Sequence, residues 1–120
     1  MEIKMAFLTG SRAYGNPRED SDVDLVILTN TASLIALERV SDPNPPPKQR
    51  GDSAYEGRQL TFGKLNLIIT TEPEMYNAWL EGTIKLMEEA PVSRDRAVEV
   101  LSELRGSAAE TISIRRLQGA

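Results

Sequence analysis

The chain predicts a small α/β domain, on three observations. Strand-like apolar runs stand at 3–9 and 22–29, a second pair at 54–62 and 64–70 meets at Gly63, and two helical stripes follow, opening near Thr71 and Ser93. At 120 residues and 40% hydrophobic content there is material for one compact core.

Each element has its own signal. The run 3–9 ends at Gly10-Ser11, where 11–15 reads as a turn or a single helical turn, broken by Gly15-Asn16-Pro17. Arg18-Glu19-Asp20-Ser21 is a polar connector. After its acids the run 22–29 is almost continuously apolar, as expected for a central strand covered on both faces. Residues 31–40 predict a helix capped by Thr31, with Leu34, Ile35 and Leu37 on one side.

Pro43, Pro45, Pro46 and Pro47 then forbid both a helix and a central strand over 41–51. That stretch reads as an exposed loop. The sharper alternative is a lid whose Lys48 and Arg50 reach a triphosphate. Thr71, Pro73 and Glu74 predict a capped helix start, followed by a stripe of Met75, Tyr76, Trp79, Leu80, Thr83 and Leu86. A last helix is expected from Ser93, packing through Ala97, Val98, Leu101 and Leu104 and stopping at Gly106. The expected organisation is therefore a domain over 1–106 and a tail over 107–120. That tail is docked through Ile112, Ile114 and Leu117, on the domain or a second subunit, or else disordered.

Composition excludes several chemistries. Cysteine and histidine are both absent, so disulfides, thiolate sites, imidazole bases and histidine-held zinc drop out. Any metal must sit on oxygen ligands. The net charge of −4 gives no basic field for gripping an extended nucleic acid. No apolar run is long enough for a bilayer, and the N-terminus lacks a secretory pattern, so a cytoplasmic protein is expected.

The chemistry-bearing stretch is Gly10-Ser11 followed by Asp22-Val23-Asp24. On a strand Asp22 and Asp24 project to one side, and parallel carboxylates invite a hard divalent cation. An isolated Asp-x-Asp is more often a turn or a helix cap. Here it opens a strand after another strand has run into a glycine turn, which is the layout of a phosphate site. Glycine lets the backbone approach closely, Ser11 and nearby amides form an anion-binding concavity, and Arg12 or Arg18 could neutralise phosphate charge.

These words, Gly10-Ser11-Arg12-Ala13-Tyr14-Gly15 and Asp20-Ser21-Asp22-Val23-Asp24-Leu25, resemble the polymerase-beta-type nucleotidyltransferase superfamily. They are most similar to its small single-domain members, including antitoxin-type minimal enzymes and those carried by bacteriophages. The resemblance covers about residues 5–29. It implies a small mixed β-sheet flanked by helices and a site for Mg²⁺ or Mn²⁺ and a nucleoside triphosphate. The implied reaction moves a nucleoside monophosphate to a hydroxyl acceptor.

Asp22 and Asp24 would be the catalytic metal ligands, with Gly10, Ser11, Arg12 and Arg18 on the nucleotide. The family's third carboxylate comes from a later strand, where this chain has Asn66. Asn66 is either a neutral metal ligand or an inward amide bonded to neighbouring backbone, and Glu56 is the alternative acid. That departure favours a catalytically weakened nucleotide binder as one alternative; the other is an antitoxin-like interaction protein using its helical C-terminal half. A homodimer or a toxin partner would suit the small size.

Overall fold

The computed structural model describes residues 1–49 and 57–119. Strands β1 (Ile3–Thr9), β2 (Val23–Thr29), β3 (Lys48–Gln49), β4 (Arg58–Phe62) and β5 (Leu65–Thr70) form one sheet in the order β1-β2-β5-β4-β3. Only β2 and β5 run parallel; the other pairings are antiparallel. Helices α1 (Ser11–Tyr14), α2 (Thr31–Val40), α3 (Pro73–Glu89) and α4 (Arg94–Gln118) complete the chain. The expected α/β class and the mixed sheet flanked by helices are both present. No helix among the described residues is long and apolar enough to cross a membrane.

Strand β2 explains the sheet's position. Its side chains alternate, so Val26 and Leu28 enter a core with α3 and α4, while Ile27 enters a second core with Leu34 of α2, Leu60 and Ile69. Both faces are covered, which is why the run is continuously apolar. Asp22 and Asp24 share the parity of Val26 and therefore face the α3–α4 side. Gly63 takes φ 62° in the β4–β5 turn, and the Asp42 carboxylate accepts its N–H at 2.7 Å.

Helix boundaries depart from expectation in three places. Asn30, not Thr31, caps α2: its side-chain oxygen accepts from the Ser33 amide at 2.8 Å. At α3 the cap position falls to Glu72 without a side-chain bond, and the Thr70 hydroxyl accepts the Glu72 amide instead of Thr71 capping. Glu74 turns to Arg115, so the expected capping box does not form. Ser93 does cap α4, accepting from the Arg96 amide at 3.2 Å.

The third departure is the largest. Helix α4 does not stop at Gly106 but continues to Gln118. A terminating glycine works by adopting positive φ, which among the described residues only Gly10 and Gly63 do. The cost of an interior glycine, about 1 kcal/mol, is offset because Ala108 and Ile112 beyond it are buried against α3. Arg115 and Arg116 then pair with Glu72 and Glu74 at the start of α3. Val98, Ile114 and Leu117, expected to pack, are instead exposed.

Ile112 is fully buried. Ile112→Ala should therefore cost about 2–4 kcal/mol in urea denaturation, whereas Leu117→Ala should change stability by less than about 0.5 kcal/mol. Equal, small effects would mean that the end of α4 does not dock.

The proline segment reads as loop up to Pro47, then adds β3 as an edge strand on β4. No proline enters β3, which begins only after Pro47. Lys48 lies on that edge strand opposite Gln59, a residue of the candidate site's cavity, and does not itself line that cavity. Arg50 and Glu56, and the start of the expected strand over 54–62, lie outside the described residues.

Candidate active site

Three neighbouring strands bring the site together. Strand β1 delivers Thr9 and Gly10, β2 delivers Asp24, and β5 delivers Asn66. In the sheet register Asp24 stands opposite Thr9 on one side and Asn66 on the other. Asp22 lies just before β2, which starts at Val23 rather than at 22, and the Val23 amide donates to the Lys64 carbonyl at 2.8 Å. That bond fixes the entrance of β2 against the β4–β5 turn.

Gly10 takes φ 76° and ψ −164°, a region closed to side chains. A Cβ there would collide with the Asp24 carboxylate oxygen Oδ2. The Gly-Ser turn and the acid of β2 are therefore in close approach, and only glycine permits it. Helix α1 is one turn, closed by Ala13 and Gly15 amides on the carbonyls of Gly10 and Ser11. The buried Thr9 hydroxyl is 2.8 Å from the Thr83 hydroxyl, which ties the end of β1 to α3.

Asn66 occupies the position opposite the acids. Its amide nitrogen donates to Asp22 Oδ2 and to Asp24 Oδ1, each at 3.1 Å, and its Oδ1 accepts from Thr61 at 3.3 Å. The two carboxylates dictate that orientation, since a carbonyl oxygen there would face two anions. These bonds run to side chains, not to the neighbouring backbone that one of the sequence-based alternatives expected.

Asp22, Asp24, Gly10, Ser11 and Asn66 all line one cavity of ≈ 620 Å³. The two arginines do not. Arg12 turns its guanidinium onto the carbonyls of Arg18, Glu19 and Ser21, at 2.8 to 3.3 Å, where it closes the connector that presents Asp22. Arg18 is exposed outside the cavity, its amide held by the Ser21 hydroxyl at 2.7 Å. The far wall comes from residues the sequence reading assigned to core or passed over: Trp79 on α3, and Arg94, Val98, Leu101 and Arg105 on α4. Helical spacing was the signal for that wall. Positions 94, 98, 101 and 105 fall on one face of the expected helix, but its apolar members Val98 and Leu101 read as packing surface rather than as a cavity wall.

Two same-face carboxylates beside an amide oxygen fit one hard divalent cation. No third His, Cys, Asp or Glu joins them among the described residues. For Asn66 to serve as a ligand its amide would have to rotate and present Oδ1, and the Thr61 hydroxyl, donor or acceptor, can satisfy either orientation.

A mixed sheet with a glycine–serine turn beside paired acids defines a phosphate-handling α/β domain. A family model described as "Nucleotidyltransferase domain" matches residues 2–100, and the chain belongs to that family. No curated protein and no solved structure matches the chain. Membership supports nucleotidyl transfer as the general function.

Proposed function

We propose that the protein is a divalent-metal-dependent nucleotidyltransferase that moves a nucleoside monophosphate from a nucleoside triphosphate to a hydroxyl acceptor. The observation that carries this is the convergence of Asp22, Asp24 and the Gly10–Ser11 turn on one cavity. Asp22 and Asp24 would hold Mg²⁺ or Mn²⁺, with Asn66 as a neutral third ligand, and the cation would supply Lewis-acid neutralisation of the phosphates. The amides and hydroxyl of the turn orient the phosphate tail. Asn66 cannot take a proton, so Asp22 and Asp24 are the carboxylates on this wall able to accept one from the acceptor hydroxyl.

The test is incubation with each triphosphate, Mg²⁺ or Mn²⁺ and candidate hydroxyl acceptors, following pyrophosphate. Absence of pyrophosphate with every triphosphate and acceptor class would sink the transfer reading.

A second reading has its own support. Asn66 bridges both acids with an N–H group where the family carries a carboxylate, which favours a nucleotide binder of weakened turnover. The two readings share one prediction. Asn66→Asp should tighten Mn²⁺ binding by about tenfold, read by calorimetry, because it adds an anionic ligand and removes the competing donor. If pyrophosphate release rises in the same variant, the native protein is a restrained enzyme. Unchanged Mn²⁺ affinity would mean that Asn66 does not face the metal.

A further inference from the structure

We infer that the α4 wall of the cavity binds phosphate groups through Arg94 and Arg105, completing the nucleotide site that Gly10 and Ser11 begin. The inference rests on the nucleotidyl-transfer reading and deepens it. It starts from charge. Asp22 and Asp24 make one wall anionic, and a triphosphate adds several more negative charges in a partly enclosed space. Such a ligand needs fixed cations, since buried charge is costly unless paired.

Three cations near the motif are engaged elsewhere, and Arg18 is exposed outside the cavity. Arg12 serves backbone carbonyls, Arg58 pairs with Glu38, and the Lys64 ammonium donates to the Asp20 carbonyl at 3.3 Å. Among the described residues the cationic side chains lining the cavity are Arg94 and Arg105.

Their placement suits an elongated anion. Eleven residues apart, their backbones stand about 16 Å from each other along the helix and on nearly the same face, a span that two extended arginine side chains narrow. Arg94 follows Val92, whose amide donates to the Tyr14 carbonyl at 2.9 Å, so the start of α4 adjoins the end of α1 on the Gly10–Ser11 side. Arg94 is exposed and makes no ion pair among the described residues. Arg105 lies over the Trp79 ring, 4.8 Å from its centroid, which fixes the guanidinium plane and keeps the donor fork rigid. Arginine forks match phosphate oxygens in a bidentate fashion. Val98, half exposed between them, offers apolar surface to a planar ring.

The chain's single tryptophan, Trp79, lines this cavity, so its fluorescence reports occupancy. The full chain is titrated with inorganic tripolyphosphate, with ATP and Mg²⁺, with adenosine monophosphate and with adenosine; calorimetry supplies a readout independent of Trp79. The three phosphate ligands should bind and adenosine should bind at least about tenfold more weakly. Arg94→Ala and Arg105→Ala should each weaken tripolyphosphate by about tenfold, Arg94→Glu should weaken it further, and Arg105→Lys should recover part of the loss.

Phosphate groups could come from the triphosphate donor or from a phosphorylated acceptor. Displacement of ATP by tripolyphosphate assigns the arginines to the donor. Binding of the monophosphate alongside ATP assigns them to the acceptor. Arg94→Glu is a surface change, so its melting midpoint should match the native chain. Native-like affinity for all three phosphate ligands in Arg94→Glu and Arg105→Ala overturns the proposal, as does failure of the native chain to bind tripolyphosphate. Pyrophosphate release separates the two ideas. Release with unaffected arginine variants sinks this subsite alone, whereas arginine-dependent binding without release sinks the transfer reading alone.

Discussion

Replacing Asp24 with asparagine lowers pyrophosphate release by roughly a hundredfold or more. The size follows from the surroundings of that side chain. Asp24 lies between Thr9 and Asn66 in the sheet, its Oδ1 bonded to the Asn66 amide and its Oδ2 against the Gly10 backbone. An amide of the same shape keeps the packing but removes the negative charge that a divalent cation requires. Asp22→Asn has the same sign. Asp22 is exposed just before β2, whereas Asp24 is partly buried within it, so solvent can partly replace Asp22 and its effect should be smaller. Folding is the control: both variants should melt near the native midpoint, because removing one of two adjacent anions relieves repulsion. Pyrophosphate release at native rate in Asp24→Asn would remove Asp24 from the chemistry.

Gly10→Ala carries the second large effect, and it acts on stability and on the site together. Holding a non-glycine residue at φ 76° and ψ −164° costs about 1–3 kcal/mol before any collision is counted. The new Cβ would then meet Asp24 Oδ2, and the carboxylate must swing away from the turn. A midpoint lower by several degrees is expected in thermal melts, along with Mn²⁺ binding weaker by about tenfold or more. Gly63→Ala separates the two causes. Gly63 also has positive φ, at 62°, but a Cβ there meets nothing within 4 Å. It should lower the midpoint while leaving Mn²⁺ affinity unchanged. Equal Mn²⁺ loss in both variants would show that the Gly10 effect is general unfolding.

Local chemistry made much of this protein legible in advance. Strands β2 and β5 and the stripe of α3 emerge from apolar periodicity, because burying one or both faces of an element leaves a regular mark. Gly10, Ser11, Asp22 and Asp24 could be read together because a turn and a strand entrance place them within fifteen residues. Asn66 was harder, since its proximity to Asp24 arises from parallel pairing of strands more than forty residues apart.

The misreadings share a cause. Gly106 looks like a helix stop when only local propensity is weighed, yet Ile112 and the Arg115–Glu74 pair lie beyond it and gain more by continuing the helix. Arg12 looks like a phosphate ligand by adjacency to Gly10-Ser11. In the fold its guanidinium has three carbonyls of the connector within reach, and it organises the loop instead.

By itself the sequence determined the element types, the Gly-Ser turn and the acidic pair, since each depends on neighbours along the chain and on side-chain parity. Only the tertiary structure decided which wall faces those acids. The packing of α4 against α3 and the β2–β5 register bring Arg94, Arg105 and Asn66 to the cavity, and neither arrangement is written in any local stretch.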